Sequence, residues 1–230
     1  VAKNTNETQL ADTVGFKPSI DPDDHFNTVT WNGGGYSSVS ITGVGFQPDL
    51  VWVKQRNLAQ YHSLSNSISG VGKMLWPNAS DAEYSTTTYG QIASFDSDGF
   101  TANKGSDPTY SYFNISGGTY VAWCFNAGGN EVTNTDGTID TTVRANNDLG
   151  FSVATYTGVG YPASSTAEIG HGLDSAPELV IIKGTGGTGQ SGGAGFWVVG
   201  SSLLGNGWDG SMYLNDTAGY YTANNYFWNG

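Results

Sequence analysis

The stretch ITGVGFQPDLVWVK (residues 41–54) combines the three signals that decide the fold of this chain: spaced glycines, a proline and a short apolar run. Glycine supplies the backbone conformations that tight turns need, and proline suits the approach to a strand. The apolar run is short and consists mostly of the β-branched and aromatic residues that strands favour. The stretch therefore predicts a turn followed by a buried β-strand.

Nearly the same stretch returns in the second half of the chain as IGHGLDSAPELVIIK (residues 169–183). The correspondence extends to both sides. FNTVTW (26–31) matches FSVATY (151–156), and KMLWPNASDAEYST (73–86) matches SMYLNDTAGYYTA (211–223) with one gap. The repeat period is longer than that of solenoid proteins, so the pattern indicates two copies of one domain.

The composition favours strands over helices along the whole chain. The 230 residues include 34 glycines, and only 12% of the residues are charged. Gly, Asn and Thr are poor helix formers, and short strand-like runs between turn residues are typical of sandwiches. We predict an all-β fold of two tandem antiparallel β-sandwiches of the jelly-roll or concanavalin type. Strands are expected at 25–31, 37–44, 49–54, 91–95, 119–125, 150–156, 178–183 and 196–200.

The repeat also divides the chain into segments. We expect residues 1–24 to be an N-terminal segment or the linker from a preceding domain. We expect residues 25–129 to be the first sandwich, residues 130–149 a linker and residues 150–230 the second sandwich.

The second copy is expected to be incomplete. The first copy closes with SFDSDGF (94–100), in which Asp98-Gly99 is expected to form a hairpin turn, and with GTYVAWCFNAGG (118–129). The second copy has no counterpart of these segments, and an antiparallel sheet without them exposes its edges. We expect that the chain continues beyond Gly230 or that a neighbouring subunit supplies the strands.

Charge and cysteine content exclude several classes of partner. The formal net charge is −12, with 8 basic residues, which argues against nucleic acid as a partner. No apolar run has the length of a membrane span, so we expect no membrane insertion. The single cysteine, Cys124, excludes an intrachain disulfide and is expected to be a buried strand residue.

No motif of an enzyme or of a metal site stands out. GTGGTG (184–189) matches a dinucleotide-binding pattern, but another loop and a strand follow it instead of a helix. The histidines, His25, His62 and His171, lack the spacing of metal ligands, and no nucleophile elbow is present. We therefore predict no catalytic residues, no metal site and no enzymatic activity. Loop aspartates are interpreted as turn formers, with a loop-bound Ca²⁺ ion left open and no other cofactor expected.

Aromatic residues crowd a Gly/Asn-rich stretch near the end of the chain. Aromatic rings beside amide and carboxylate groups suit stacking on sugars, because a sugar ring offers apolar C–H faces and outward hydroxyls. The alternative is that these rings fill the core or an interface between copies or subunits. The candidate ligand-binding residues are Trp208, Tyr220, Tyr221, Tyr226 and Trp228.

The segments HFNTVTWNGGG (25–35), SITGVGFQPDLVWVKQR (40–56) and GTYVAWCFNAGG, followed by the second copy, resemble a tandem module of tailed-phage virion proteins. Such modules are frequent in marine phages, in long tail-fibre or tail-appendage chains. The resemblance implies a lectin-like β-sandwich with a structural or host-recognition role. It also implies a location at the virion surface, outside the cell, and other virion subunits as partners. The chain would then be a homo-oligomer and would bind host-surface glycans.

Three functions remain open at this point. The leading hypothesis is a non-enzymatic virion protein of a tail fibre or appendage that recognises a host glycan. One alternative is a capsid-decorating or fibre-forming protein that contacts only other virion subunits. A second alternative is a polysaccharide depolymerase, which requires two carboxylates that converge in a groove.

Overall fold

A computed structural model describes residues 20–158, 167–186, 195–205 and 207–221. Within these residues the chain forms thirteen β-strands and two short 3-10 turns, Pro22–Asp24 and Gly207–Asp209. The expected all-β fold is therefore confirmed. None of the helical turns in the described part of the chain has the length and apolarity of a membrane-spanning helix.

The first half of the chain contains seven strands. They are β1 (Phe26–Asn32), β2 (Ser38–Thr42), β3 (Leu50–Gln55), β4 (Ser63–Asn66), β5 (Gln91–Asp96), β6 (Gly99–Asn103) and β7 (Thr119–Phe125).

The second half contributes the remaining described strands. They are β8 (Val132–Asn134), β9 (Thr141–Asn146), β10 (Phe151–Tyr156), β11 (Leu179–Lys183), β12 (Trp197–Ser201) and β13 (Met212–Tyr213). Each of the eight strands expected from the sequence is present, with ends that differ by at most a few residues.

Two antiparallel sheets enclose the core of the first half. One sheet has the order β1-β7-β3-β4 and the other has the order β2-β6-β5. Alternate residues of both sheets, such as Val51 on β3, Phe100 on β6 and Ala122 on β7, belong to one buried cluster. This arrangement is compatible with the expected sandwich, in which the inner faces of two sheets pack together. Cys124 is buried in the same cluster, and burial raises the pKa of its thiol to about 12.

The hairpin expected around Asp98-Gly99 is present, but its turn lies one residue earlier. Asp96 pairs with Gly99, and Phe95 pairs with Phe100, so Ser97 and Asp98 form the two-residue turn. The Asp98 carboxylate accepts backbone hydrogen bonds from two glycines that precede β3, at 2.7 and 3.1 Å. These bonds lower the pKa of Asp98 and tie the hairpin to the turn before β3.

The second half forms two three-stranded sheets, with the orders β10-β9-β8 and β11-β12-β13. Strands β8 and β9 lie within residues 130–149, where we expected a linker. Val143 and Thr141 of β9 are buried, and β9 pairs along its whole length with β10. The segment is rich in Thr and Asn and buries two apolar side chains, Ile139 and Val143, so its strand pattern is weak in the sequence.

Among the described residues, the two halves contact each other beside β9 and β10 and beside β12. Beside β9 and β10, the rings of Phe125 and Phe151 stack with their centroids 5.2 Å apart. Beside β12, the indole N–H of Trp197 donates to the carbonyl oxygen of Trp76 at 2.9 Å. The second contact places the hairpin of β11 and β12 against residues 76–83 of the first half.

Candidate functional site

The structure describes three of the five residues predicted to bind a ligand: Trp208, Tyr220 and Tyr221. Trp208 lies half-buried in the second 3-10 turn, and the Tyr220 ring lies against the backbone of Gly205 and Gly210. Tyr221 pairs with a residue just before β13 and remains exposed. Tyr226 and Trp228 lie outside the described residues, as does most of the Gly-rich segment 184–195.

Strand register shows how the two copies correspond around Tyr221. The β3–β4 hairpin pairs Trp52 with Leu64, and the β11–β12 hairpin pairs Ile181 with Val199. Trp52 and Ile181 each lie two residues before the lysine that ends the matching sequence stretch. Leu64 and Val199 are therefore equivalent positions.

The equivalence continues into the next segment without a gap. Leu64 bridges Leu75 in the first half, and Val199 pairs with Met212 in the second half. The following bridges join Met74 to Tyr84 and Ser211 to Tyr221, and both bridges span the same number of residues. Residues 74–84 therefore correspond to 211–221, and the gap in the sequence alignment of this region was wrong.

Three stacked rings in the first half form what we call the first aromatic ladder: Tyr61, Trp76 and Tyr84. The centroids of Tyr61 and Trp76 are 5.4 Å apart at an interplanar angle of 24°. The centroids of Trp76 and Tyr84 are 5.0 Å apart at 36°. Aromatic pairs at such separations stabilise one another beyond their buried area, so the two inner rings support the outer ring.

Three rings at the equivalent positions of the second half form the second aromatic ladder: Phe196, Tyr213 and Tyr221. The centroids of Phe196 and Tyr213 are 4.6 Å apart at an interplanar angle of 28°. The centroids of Tyr213 and Tyr221 are 5.2 Å apart at 55°. The ladder is thus a repeated feature of the module, although two of its three ring positions carry different residue types in the two copies.

An asparagine holds the outer ring of each ladder in the same way. The backbone N–H of His62 donates to Asn78 Oδ1 at 3.0 Å. The backbone N–H of Trp197, the residue equivalent to His62, donates to Asn215 Oδ1 at 2.9 Å. Each bond fixes the backbone immediately after the outer ring, Tyr61 or Phe196, and therefore its orientation.

The outer ring of each ladder is accessible to a ligand. The exposed fraction is 48% for Tyr61 and 49% for Phe196. An open depression of about 480 Å³ lies beside Tyr61 and is lined by Ala59, Gln60, Tyr61, Asn78 and Tyr110. The Gln60 Oε1 atom is buried and finds no hydrogen-bond partner among the residues that the structure describes. The depression places the amide side chains of Gln60 and Asn78 beside an exposed aromatic ring.

A neutral phenol, that of Tyr110, lines this depression. Burial raises the pKa of Tyr110, so its hydroxyl stays protonated at ordinary pH. A second shallow depression, of about 300 Å³, lies at β9 and β10 and is lined mostly by threonines. The depression at Tyr61 is the one that combines an exposed ring with amide and hydroxyl groups.

Within the described residues, clusters of metal-ligating side chains are absent, and the histidine beside the first ladder is held by a hydrogen bond. No group of three or more His, Cys, Asp or Glu side chains within them could hold a metal ion. His62 lies near the first ladder, but its Nδ1 accepts a hydrogen bond from the indole of Trp52 at 2.9 Å. Burial, followed by the positive charge of Lys54, lowers the pKa of His62. The neutral form of the imidazole is the form that accepts this hydrogen bond.

Sequence reasoning found one ring of the two ladders, Tyr221, and missed the others. A signal was present, because an aromatic residue precedes both β4 and β12 at equivalent positions, Tyr61 and Phe196. The two surrounding sequences, QYHSLS and GFWVVG, share no identical residue in the same column, so the match emerges only from the strand register.

The comparisons with known proteins concern the family of the chain and leave its ligand open. No curated protein and no solved structure matches it. The profile of one family, DUF7483, described as a domain of unknown function, matches residues 21–230, which include both copies of the repeat and both aromatic ladders. The chain therefore belongs to the DUF7483 family.

Proposed function

We propose that the chain is a non-enzymatic component of a phage tail fibre or tail appendage, and that it recognises a host-surface glycan through its two aromatic ladders. The observation that carries the proposal is the repetition of an exposed outer ring, Tyr61 and Phe196, on the same stacked support in both halves. The resemblance to tandem virion modules supports the location on a phage particle.

The chemistry of the ladder suits a sugar. An exposed ring that is held by two further rings offers a flat apolar surface to the C–H face of a pyranose at a low entropic cost. Sugar hydroxyls need hydrogen-bond partners at the edge of that surface. Beside Tyr61, the amide groups of Gln60 and Asn78 and the hydroxyl of Tyr110 supply such partners. The side chain of Asn215 lies beside Phe196 in the same relation as Asn78 beside Tyr61.

Repetition of the site adds avidity. A single aromatic platform with a few polar groups binds a sugar weakly, and two platforms on one chain raise the effective concentration for the second contact. Oligomerisation in a fibre would multiply the sites further. The proposal therefore favours extended polysaccharides with repeating units over short soluble sugars.

Binding to an array of bacterial capsular and lipopolysaccharide glycans tests the proposal. We expect the chain to bind a subset of polysaccharides, and we expect Tyr61→Ala and Phe196→Ala each to weaken that binding about tenfold, a loss typical of an aromatic residue at the centre of a binding site. Tyr61→Phe keeps the ring and should retain most of the affinity.

The matched control is Tyr36→Ala. Tyr36 is 75% exposed and belongs to neither ladder, so its removal should leave glycan binding unchanged. Equal losses in the Tyr36→Ala and Tyr61→Ala variants, or no binding by the unmodified chain, would contradict the proposal. Release of new reducing ends from a bound polysaccharide would instead favour the depolymerase.

The location is tested separately, by immunogold labelling of assembled phage particles with an antibody against the chain. Label at the tail fibres or appendages is the expected result. Label spread over the capsid would favour the capsid-decorating alternative. Glycan binding by the chain would then need an explanation other than host recognition at the tail.

A further inference from the structure

The sheet partners of β3 in the first half are a template for the second half. β3 pairs with β4 on one side and with β7 on the other, both antiparallel. β7 in turn pairs with β1, so it is the strand that joins β1 to the β3–β4 hairpin in one four-stranded sheet. Without β7 these elements would be two separate pieces.

The second half shows the same elements as two separate pieces. β11, the counterpart of β3, pairs with β12 and forms the edge of its sheet. β10, the counterpart of β1, belongs to the other three-stranded sheet. Among the residues described for the second half, no strand occupies the position that β7 has in the first half.

The open edge of β11 carries unused backbone groups. The N–H of Ser202 donates to the carbonyl oxygen of Glu178 at 3.1 Å, so residue 178 points its backbone groups at β12. Because these directions alternate along an antiparallel strand, residues 180 and 182 also face β12. The N–H and C=O groups of Leu179, Ile181 and Lys183 therefore point to the open edge. Their counterparts in β3 point to β7, as the bond from Arg56 N–H to the Thr119 carbonyl at 2.6 Å shows.

The side chains at this edge are unusually apolar for an edge strand. The exposed fraction is 58% for Leu179 and 45% for Ile181. Charged residues or proline are the usual protection of such an edge. In the first half, the residue equivalent to Ile181 is Trp52, whose ring packs against Trp123 of β7 at a centroid distance of 6.1 Å. Ile181 is the equivalent position on β11, and 45% of its surface is exposed.

We propose that the open edge of β11 is a docking site for one extended strand of a partner polypeptide, which pairs antiparallel with β11 as β7 pairs with β3. The register of β7 sets the chemistry of this strand. Residues opposite Val180 and Ile182 correspond to Cys124 and Ala122 and are small. Residues opposite Leu179 and Ile181 correspond to Phe125 and Trp123 and are large and aromatic. Strand addition of this kind draws affinity from main-chain hydrogen bonds and specificity from alternate side chains.

A synthetic peptide with the sequence of residues 118–127, carrying Cys124→Ser to prevent disulfide formation, is the probe. We expect it to bind the chain and to slow amide hydrogen exchange at Leu179, Ile181 and Lys183, with little change at Val180 and Ile182. A peptide that also carries Val121→Pro lacks a donor that faces β3 in the template. The dissociation constant of this control peptide should be about tenfold higher or more. A tenfold change corresponds to a loss of about 1.4 kcal/mol in binding free energy.

The matched protein variants are Ile181→Pro and Ile181→Ala. Proline is tolerated on an edge strand where its missing N–H faces outward, so Ile181→Pro should keep the β11–β12 hairpin and abolish peptide binding. Ile181→Ala keeps the N–H and should retain part of the affinity. Unchanged exchange at the three edge amides in the unmodified chain overturns the proposal, and this readout does not depend on the folding of a variant. Protection of those amides without peptide, in a concentration-dependent dimer, also overturns it, because a second copy would then cover the edge.

Discussion

At the scale of single residues, His62 shows how a histidine can have a structural role in this fold. Its Nδ1 accepts from the Trp52 indole, and the two rings lie 5.8 Å apart. Only the unprotonated Nδ1 can accept this bond, so the fold favours the neutral ring. The lowered pKa of His62 agrees with this geometry.

We predict that His62 makes the fold less stable in weak acid. The pKa of His62 lies below 6.5 in the folded chain, so the unfolded chain takes up the proton first. The contribution is therefore fully present above pH 6.5 and is lost as the pH falls from there to the folded pKa. Urea unfolding at a series of pH values measures it. In His62→Phe this part of the pH dependence should disappear, and an unchanged profile in that variant would refute the assignment.

At the scale of elements, the β5–β6 hairpin depends on one close approach between strands. Gly99 begins β6 opposite Thr42 of β2, at a φ of +141°. A Cβ at this position would collide with the carbonyl oxygen of Ile41. A side chain here therefore adds a clash between backbones to the strain of an unfavourable φ.

We predict that Gly99→Ala lowers the free energy of unfolding by more than about 2 kcal/mol, the range of strain and overpacking at a buried backbone contact. Gly43→Ala is the matched control, because Gly43 also has a positive φ, of +87°, but has open space where a Cβ would be. Its cost should be about 1 kcal/mol, from backbone strain alone. Chemical denaturation of both variants measures the difference, and equal losses would show that the Ile41 contact is unimportant.

The ladders are the second element-scale feature. Each is built from a residue shortly before one strand, a residue directly after the position that pairs with that strand, and a residue at the bridge that follows. The repetition of their geometry with different side chains indicates that the positions matter more than the residue types. This is the pattern expected if each copy presents the same platform to a different part of a ligand.

At the scale of the whole molecule, a buried carboxylate connects the two halves. Asp49, just before β3, accepts hydrogen bonds from Ser67 Oγ at 2.7 Å and from the N–H of Ala127 at 3.0 Å. Arg144 of β9 approaches it at 3.5 Å. Both side chains are largely buried, so the pair anchors the second half to the end of the first sheet.

We predict that Asp49→Ala lowers the free energy of unfolding by about 3 kcal/mol, because it leaves the Arg144 charge and the Ala127 N–H without their acceptor. Asp49→Asn keeps an acceptor and should cost less. Lys73→Ala removes an ion pair with Glu83 at 3.3 Å whose lysine is half exposed, and it should change stability by less than about 1 kcal/mol. Thermal and urea unfolding provide the comparison. A loss for Asp49→Ala no larger than that for Lys73→Ala would contradict the anchoring role.

The sequence by itself determined the all-β class, the positions of eight strands and the repetition of ITGVGFQPDLVWVK in the second half. These properties are local, because glycines, prolines and alternating apolar residues act within a few positions of the chain. The strands β8 and β9 were missed for the same reason, since their residues form strands through pairing with β10 and carry a weak local pattern.

Only the tertiary structure decided which strands pair, and therefore which side chains meet. The ladder of Tyr61, Trp76 and Tyr84 and its copy at Phe196, Tyr213 and Tyr221 exist because register aligns segments that lie far apart in sequence. The open edge of β11 likewise depends on strand pairing. β3 pairs with β7, whereas β11 has no counterpart of β7 among the described residues. Local sequence chemistry sets where strands form, whereas ring contacts and edges depend on long-range pairing.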